Sequence, residues 1–187
     1  MLTLYLVRHG KVHNPDGIIY GHLPGFGLSD EGRAQIDHAA KVLAEQGPFQ
    51  ALYASPLQRA QESAAILANR LEMAVETEEA IIETGIGSYQ GKPFSALPSP
   101  YITETPTHDG IESASEIRAR MTRWAETMLT KHTGRQIVAV SHRDPIIVSL
   151  LFWMGGDLNE LPDFDLDTGS VHTIELDESG GKVTKIV

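Results

Sequence analysis

The chain has 187 residues, 41% of them hydrophobic, a formal net charge of −10 and no cysteine. Disulfides, thiolate metal sites and cysteine nucleophiles are excluded, and the acidic balance argues against nucleic acid, whose phosphates need a contiguous basic surface. Length and apolar content suit a single domain over residues 1–187, and with no long apolar run and no signal-peptide pattern the expectation is a soluble cytoplasmic protein without a membrane partner.

Leu2 to Val7 is a short apolar run of the kind that forms a buried strand, and it ends at Arg8-His9-Gly10. "NPDG" at 14–17 is turn chemistry, which puts His9 at a strand-to-loop transition. From Ser29 the pattern turns helical: Asp30 and Glu31 suit a first turn, Ile36, Ala39, Ala40 and Leu43 recur at helical spacing, and Gly47-Pro48 stops the run. Ala51 to Ala54 reads as a second strand. Ser55 is expected to cap the helix that follows, with Pro56 at its first position and Gln58 completing a capping box, so Arg59 falls in the first turn.

A weak strand is expected near Ala74 to Glu76. Residues 84–112 are rich in Gly and Pro with no sustained period, and a loop this long suits a lid or a substrate-binding segment. Ser113 and Glu116 form a capping box for a helix whose core stripe is Ile117, Met121, Trp124 and Met128. Gln136 to Val140 reads as a buried strand ending at Ser141-His142, and Pro145 opens an apolar helix to Met154, halted by Gly155-Gly156. Val171 to Leu176 and Lys182 to Val187 read as a hairpin around "DESGG". The alternation predicts an α/β three-layer sandwich: a mostly parallel central sheet with an antiparallel edge and helices on both faces.

In open α/β sheets ligands bind beyond the carboxyl ends of the strands. His9, Arg59 and His142 each follow a strand, in three separate strand-helix units. Guanidinium forks and helix N-terminal amides bind phosphate oxygens, and a neutral imidazole beside them can attack phosphorus. The residues alone leave open which carboxyl would act as acid: Glu78, Glu79, Glu83 and Glu112 are all nearby in sequence.

Arg8-His9-Gly10, "LSDEGRAQ" at 28–35, "SPLQRA" at 55–60, Glu83 in "IETGIGSYQG", Glu112-Ser113 with Glu116 and Arg120, and Ser141-His142 stand in the order found in the histidine phosphatase (phosphoglycerate mutase-like) superfamily. The chain resembles a short, phosphatase-type member of that family from Leu4 to about Leu151. The resemblance implies a metal-independent phosphomonoesterase that needs no cofactor and acts on a small phosphorylated metabolite through a phosphohistidine. His9 would be the nucleophile; Arg8, Arg59 and His142 would form the phosphate pocket, with His142 adding charge if protonated. Glu83 would protonate the leaving oxygen and then activate water. Asn14 and Arg143 are further candidate substrate contacts.

The chain departs from the family pattern in having Lys11 and Val12 after the tripeptide, Asn14 one residue closer to the histidine than usual, with His13 as a substitute, and Arg143-Asp144 where glycine often follows His142. Arg143 would bind a second anion or pair with Asp144. Two rival functions are a bisphosphoglycerate-dependent mutase, whose members are longer, and a phospholigand-binding protein without turnover. A phosphohistidine-protein phosphatase is disfavoured because its smaller members lack a counterpart of Glu83. A metal site on His9, His13 and His22 is disfavoured because their spacing aligns ligands only on a helix. Tyr89, Phe94 and Tyr101 are candidates for the leaving-group side. Sequence does not rank substrates or give an oligomeric state.

Overall fold

Strand β1 (Leu2–Arg8) turns Leu2, Leu4 and Leu6 to one face of the sheet and Tyr5 and Val7 to the other, and all five are buried. A strand covered on both faces must lie inside a layered structure. The computed structural model, which describes residues 1–107, 109–177 and 180–185, shows those layers. One face carries α1 (Asp30–Ala44) and α2 (Gln58–Leu71), with Ile36, Leu43 and Leu67 fully buried. On the other lie α3 (Ala114–Lys131) and α4 (Arg143–Met154), with Ile117, Met121 and Leu150 fully buried.

The sheet also contains β2 (Ala51–Ala54), β3 (Val75–Thr77), β4 (Gln136–Ser141), β5 (Val171–Asp177) and β6 (Gly180–Lys185) in the order β3-β2-β4-β1-β5-β6. β3, β2, β4 and β1 run parallel, whereas β5 and β6 are antiparallel to their neighbours. The expected mostly parallel sheet with an antiparallel edge is therefore present. The tail pairs as a hairpin, although residues 178–179 of "DESGG" and 186–187 of its second arm lie outside the described residues. Among the described residues no helix is long and apolar enough to cross a membrane.

Two helix starts differ from expectation. α2 begins at Gln58 with Leu57 at its N-cap and no side-chain cap. The Ser55 hydroxyl is instead 2.6 Å from His142 Nε2, and the Gln58 amide donates to Glu62. α4 starts at Arg143, so Pro145 sits inside the first turn, where its missing N–H would have had no intrahelical partner. The capping box on α3 forms as read, and Gly155 ends α4 in the left-handed conformation at φ 69°.

The 84–112 segment has more structure than a loop reading implied. It contains 3-10 turns at Gly87–Tyr89 and Phe94–Ala96, and isolated bridges join Ile86 to Ile111 and Ile18 to Pro93. A bidentate Arg120–Glu112 pair, at 2.7 and 3.1 Å, fastens its end to α3, and Arg120 Nη1 also donates to the Ala80 carbonyl at 2.6 Å.

Candidate active site

The carboxyl ends of β2, β4 and β1 finish level with one another: Arg8 is in register with Ser141, and Ala54 with Val140. The backbone continues the ladder for one step, with His9 N–H donating to Ser141 O and Ser55 N–H to Val140 O. His9, Ser55 and His142 thus emerge side by side. The two imidazole centroids are 5.1 Å apart.

Gly10 is required by packing. A Cβ there would lie 2.3 Å from the Gly32 carbonyl oxygen in the first turns of α1, and a Cβ on Gly32 would lie 2.1 Å from Lys11 O. The paired glycines let α1 close on the chain just past His9.

His9 is buried, with Nδ1 at 2.8 Å from Gly10 O, an atom that can only accept. The proton therefore resides on Nδ1, and the Nε2 lone pair accepts from Arg59 Nε–H at 3.2 Å. Burial foremost, then the Arg59 and Arg8 charges, hold this imidazole well below its ordinary range against the opposing Gly10 carbonyl. It is a neutral imidazole by construction.

Arg59 is 1% exposed; its Nη2 donates to Gly21 O at 3.0 Å and its guanidinium carbon lies 4.7 Å from the Tyr20 ring centroid. Arg8 Nη1 donates to Leu166 O at 2.6 Å, while Arg8 Nε is buried without a partner among the described residues.

His142 is fully buried. Its Nε2 lies 2.6 Å from Ser55 Oγ, a hydroxyl that can donate to or accept from the ring and that also accepts from Leu57 N–H at 3.4 Å. Among the described residues His142 Nδ1 has no hydrogen-bond partner, and it lies 3.8 Å from Glu83 Oε2. Burial first, then the Arg59 charge, push His142 well below its ordinary range. In the free protein this environment favours the neutral ring over the protonated one that would add charge. Buried polar atoms left unpaired cost about 1–3 kcal/mol each. Arg8 Nε and His142 Nδ1 are therefore suited to receive an oxygen-rich anion.

Glu83 is 15% exposed, with Oε1 accepting from Thr84 N–H at 2.9 Å and Oε2 at 4.0 Å from Arg59 Nη2. Burial, reinforced by the Asp144 carboxylate and resisted by Arg59, the Thr84 N–H and Arg8, pushes it up to about 7. The other carboxyls have separate duties: Glu78 accepts from Ala80 N–H, Glu79 is exposed, and Glu112 binds Arg120.

Asn14 does not join this group through its visible contacts. Its carboxamide closes on Ile18, donating to the carbonyl at 2.9 Å and accepting from the N–H at 3.2 Å. Lys11 pairs with Glu31 at 2.5 Å, Val12 bridges to Leu28, and His13 is exposed. Arg143 donates to Asp144 Oδ1 at 3.1 Å and to Leu161 O at 3.0 Å, the structural alternative of the two weighed for it. Phe94, Tyr101 and Arg143 line a neighbouring groove of about 1270 Å³. Tyr89 packs against Lys92. Sequence reasoning missed Ser55, Tyr20 and the Tyr101–Asp144 contact, because a hydroxyl or a ring carries no signal of the partner it will meet across the fold.

Ligand atoms of His9, Glu83 and His142 come within 4.8 Å of one another, a spacing that could hold a metal ion. The cations of Arg59 and Arg8 act on the same three side chains or their neighbours. Two fixed positive charges favour an anion over a metal ion.

A family model described as the histidine phosphatase superfamily (branch 1) matches residues 4–187. An uncharacterized protein of Mycobacterium tuberculosis (strain CDC 1551 / Oshkosh) is 40% identical over 159 residues, covering 81% of this chain and 78% of the relative. Phosphoserine phosphatase 1 of Hydrogenobacter thermophilus is 28% identical over 196 residues, covering 100% of this chain and 92% of its own. Among solved structures, a mutant phosphoserine phosphatase of Entamoeba histolytica in complex with phosphoserine superposes with a TM-score of 0.84 at 23% identity, covering 98% and 95% of the two chains.

Proposed function

The chain belongs to the histidine phosphatase superfamily, branch 1, and we propose that it is a metal-independent phosphomonoesterase that passes the phosphoryl group of a small phosphorylated metabolite to His9 and then to water. The observation that carries this reading is the state of His9: Nδ1 is tied to Gly10 O and the Nε2 lone pair accepts from Arg59 Nε–H. A nucleophile that is neutral, oriented and flanked by guanidinium groups is what phosphoryl transfer needs, since little else beyond positioning and charge stabilisation is asked of the protein.

In the first step Arg59 Nε–H leaves the His9 lone pair as phosphorus arrives, and Arg59, Arg8 Nε and His142 Nδ1–H hold the equatorial oxygens. The Nε2–P bond forms as the P–O ester bond breaks, and protonated Glu83 gives its proton to the leaving oxygen. In the second, the Glu83 carboxylate takes a proton from water, the water oxygen bonds to phosphorus, and His9 leaves with its lone pair restored. A group pushed up to about 7 can hold a proton for the first step and accept one in the second near neutral pH.

The relatives supply phosphoserine as the first substrate to test, with a simple aryl phosphate as a reference. Phosphate release would be measured with chelator present for the wild type and His9→Ala. The expected result is turnover that the variant loses and an acid-labile phosphoprotein on rapid quenching. Chelator-sensitive turnover, or turnover that survives in His9→Ala, overturns the mechanism; phosphoester binding without turnover overturns the enzyme assignment.

A further inference from the structure

His22 is an exposed side chain that the two-step scheme does not use, yet it reaches the main chain of Glu83 itself. Its Nε2 lies 2.7 Å from the Glu83 carbonyl oxygen. A carbonyl only accepts, so His22 donates and its proton stands on Nε2. A protonated ring carries the same N–H, so the bond does not depend on the charge of His22.

The peptide unit just before this side chain is bonded on both edges. Gly21 O accepts from Arg59 Nη2 at 3.0 Å, and His22 N–H donates to Gln90 Oε1 at 2.8 Å. Gly21 suits the place because its φ is 42° and a Cβ there would lie 2.6 Å from Ile86 Cδ1. The stretch is laced further to the 84–112 segment: Ile19 N–H donates to Lys92 O and Gly91 N–H to Ile19 O, both at 2.8 Å.

The Glu83 carboxyl has little to place it from its own end. Oε1 accepts only from the next residue's N–H, at 2.9 Å, and a bond to the next residue moves with the chain. Oε2 stands 4.0 Å from Arg59 Nη2 and 3.8 Å from His142 Nδ1, beyond hydrogen-bond reach. The carboxyl therefore sits where the backbone puts it. Ser141 Oγ donates to Ile81 O at 2.7 Å on one side, and Glu112 N–H to Gly85 O at 2.7 Å on the other. His22 fastens the chain between them, at Glu83.

From this geometry we propose that His22 is a positioning residue for the reaction: its bond to Glu83 O holds the acid's carboxyl at the leaving oxygen, while the preceding peptide unit holds Arg59 at the phosphate. The inference rests on the reading of Glu83 as the proton donor. A misplaced acid loses its contribution to the departure of the leaving group and leaves phosphate binding largely intact.

The test compares leaving groups in kcat/KM, which covers the step in which the ester bond breaks. The serine alkoxide needs a proton as it departs and para-nitrophenolate does not, so a displaced acid slows phosphoserine more than para-nitrophenyl phosphate. His22→Phe keeps a ring without the donor, and its ratio for the two substrates is expected to shift about tenfold against phosphoserine. His22→Gln, whose amide N–H can reach the same carbonyl, is expected to keep the wild-type ratio. A fold merely weakened would lower both rates together, so an unshifted ratio in His22→Phe overturns the proposal. Glu83→Gln is the control: an unmoved ratio there refutes the acid reading itself, whereas a shift in Glu83→Gln alone refutes only the role of His22. Should the wild type hydrolyse neither substrate, the phosphatase reading fails and carboxyl carbon NMR still judges the tether. Burial is the largest cause of the raised Glu83 carboxyl. Its midpoint is expected to fall by about 1 pH unit in His22→Phe as the carboxyl loosens toward water, and an unmoved midpoint overturns the proposal.

Discussion

Arg59 Nε lies 3.2 Å from His9 Nε2, so the guanidinium that would bind phosphate also holds the nucleophile's lone pair before phosphate arrives. The contact orients the ring, and burial first and then this charge keep it unprotonated. Arg59→Gln removes both effects. The expected outcome is a loss of about 10²–10³-fold in kcat, the size found for deleting one donor to a developing oxyanion. The His9 ring should at the same time take up a proton at higher pH than in the wild type, because a neighbouring positive charge has gone. Imidazole NMR would show the second effect even where no substrate is known, and an unmoved His9 titration would contradict the role given to Arg59.

Ser55 and His142 form the other unexpected pair. Replacing Ser55 by alanine leaves the fully buried Nε2 of His142 without its partner, a cost of about 1–3 kcal/mol in stability. It also removes the contact that orients the ring, whose Nδ1 lies 3.8 Å from Glu83 Oε2. Vanadate or phosphate should bind more weakly to Ser55→Ala than to wild type, as read by calorimetry. If chemical melts and anion affinity both match the wild type, the hydroxyl is not orienting His142.

Gly10→Ala tests whether the glycine after His9 serves packing. The added methyl would meet the Gly32 carbonyl at 2.3 Å, and a helix backbone cannot yield as a side chain can. The expected loss is at least the roughly 1–3 kcal/mol typical of overpacking. A variant that melts at the wild-type denaturant concentration would show that α1 can shift at little cost.

How much of this was legible in the sequence depended on the range of the interaction concerned. β2 was read to the residue, and α3 with its capping box was read from local chemistry, because strand runs and caps depend on near neighbours. The meeting of His9, Arg59 and His142 followed from a general rule about strand ends. Ser55 was misassigned for an instructive reason: local chemistry made it a helix cap, but a histidine 87 positions away offered a better partner. Asp144 reads from sequence as a neighbour of Arg143 only, since its tie to Tyr101 spans 43 positions. The choice of Glu83 over Glu112 needed the family pattern, and the structure supplies the physical difference: Glu112 already has a guanidinium and Glu83 has none within hydrogen-bond reach.

Glu83 should also leave a mark on stability. Its carboxyl is raised from an ordinary 4.5 to about 7 in the folded chain. A raised group favours folding fully below the unfolded value, and that contribution is lost as pH climbs through the folded one, so between about pH 4 and pH 8 the wild type should lose about 3 kcal/mol from this site. Glutamine has the same shape and does not titrate. Glu83→Gln should therefore gain stability relative to wild type as pH rises across that window, while losing the turnover that depends on a proton shuttled to the leaving oxygen and back from water. Denaturant melts of both proteins at the two ends of the window would measure the difference. Parallel stability curves would mean that Glu83 is ionised at ordinary cost, and it could not then be the group that holds a proton near neutral pH.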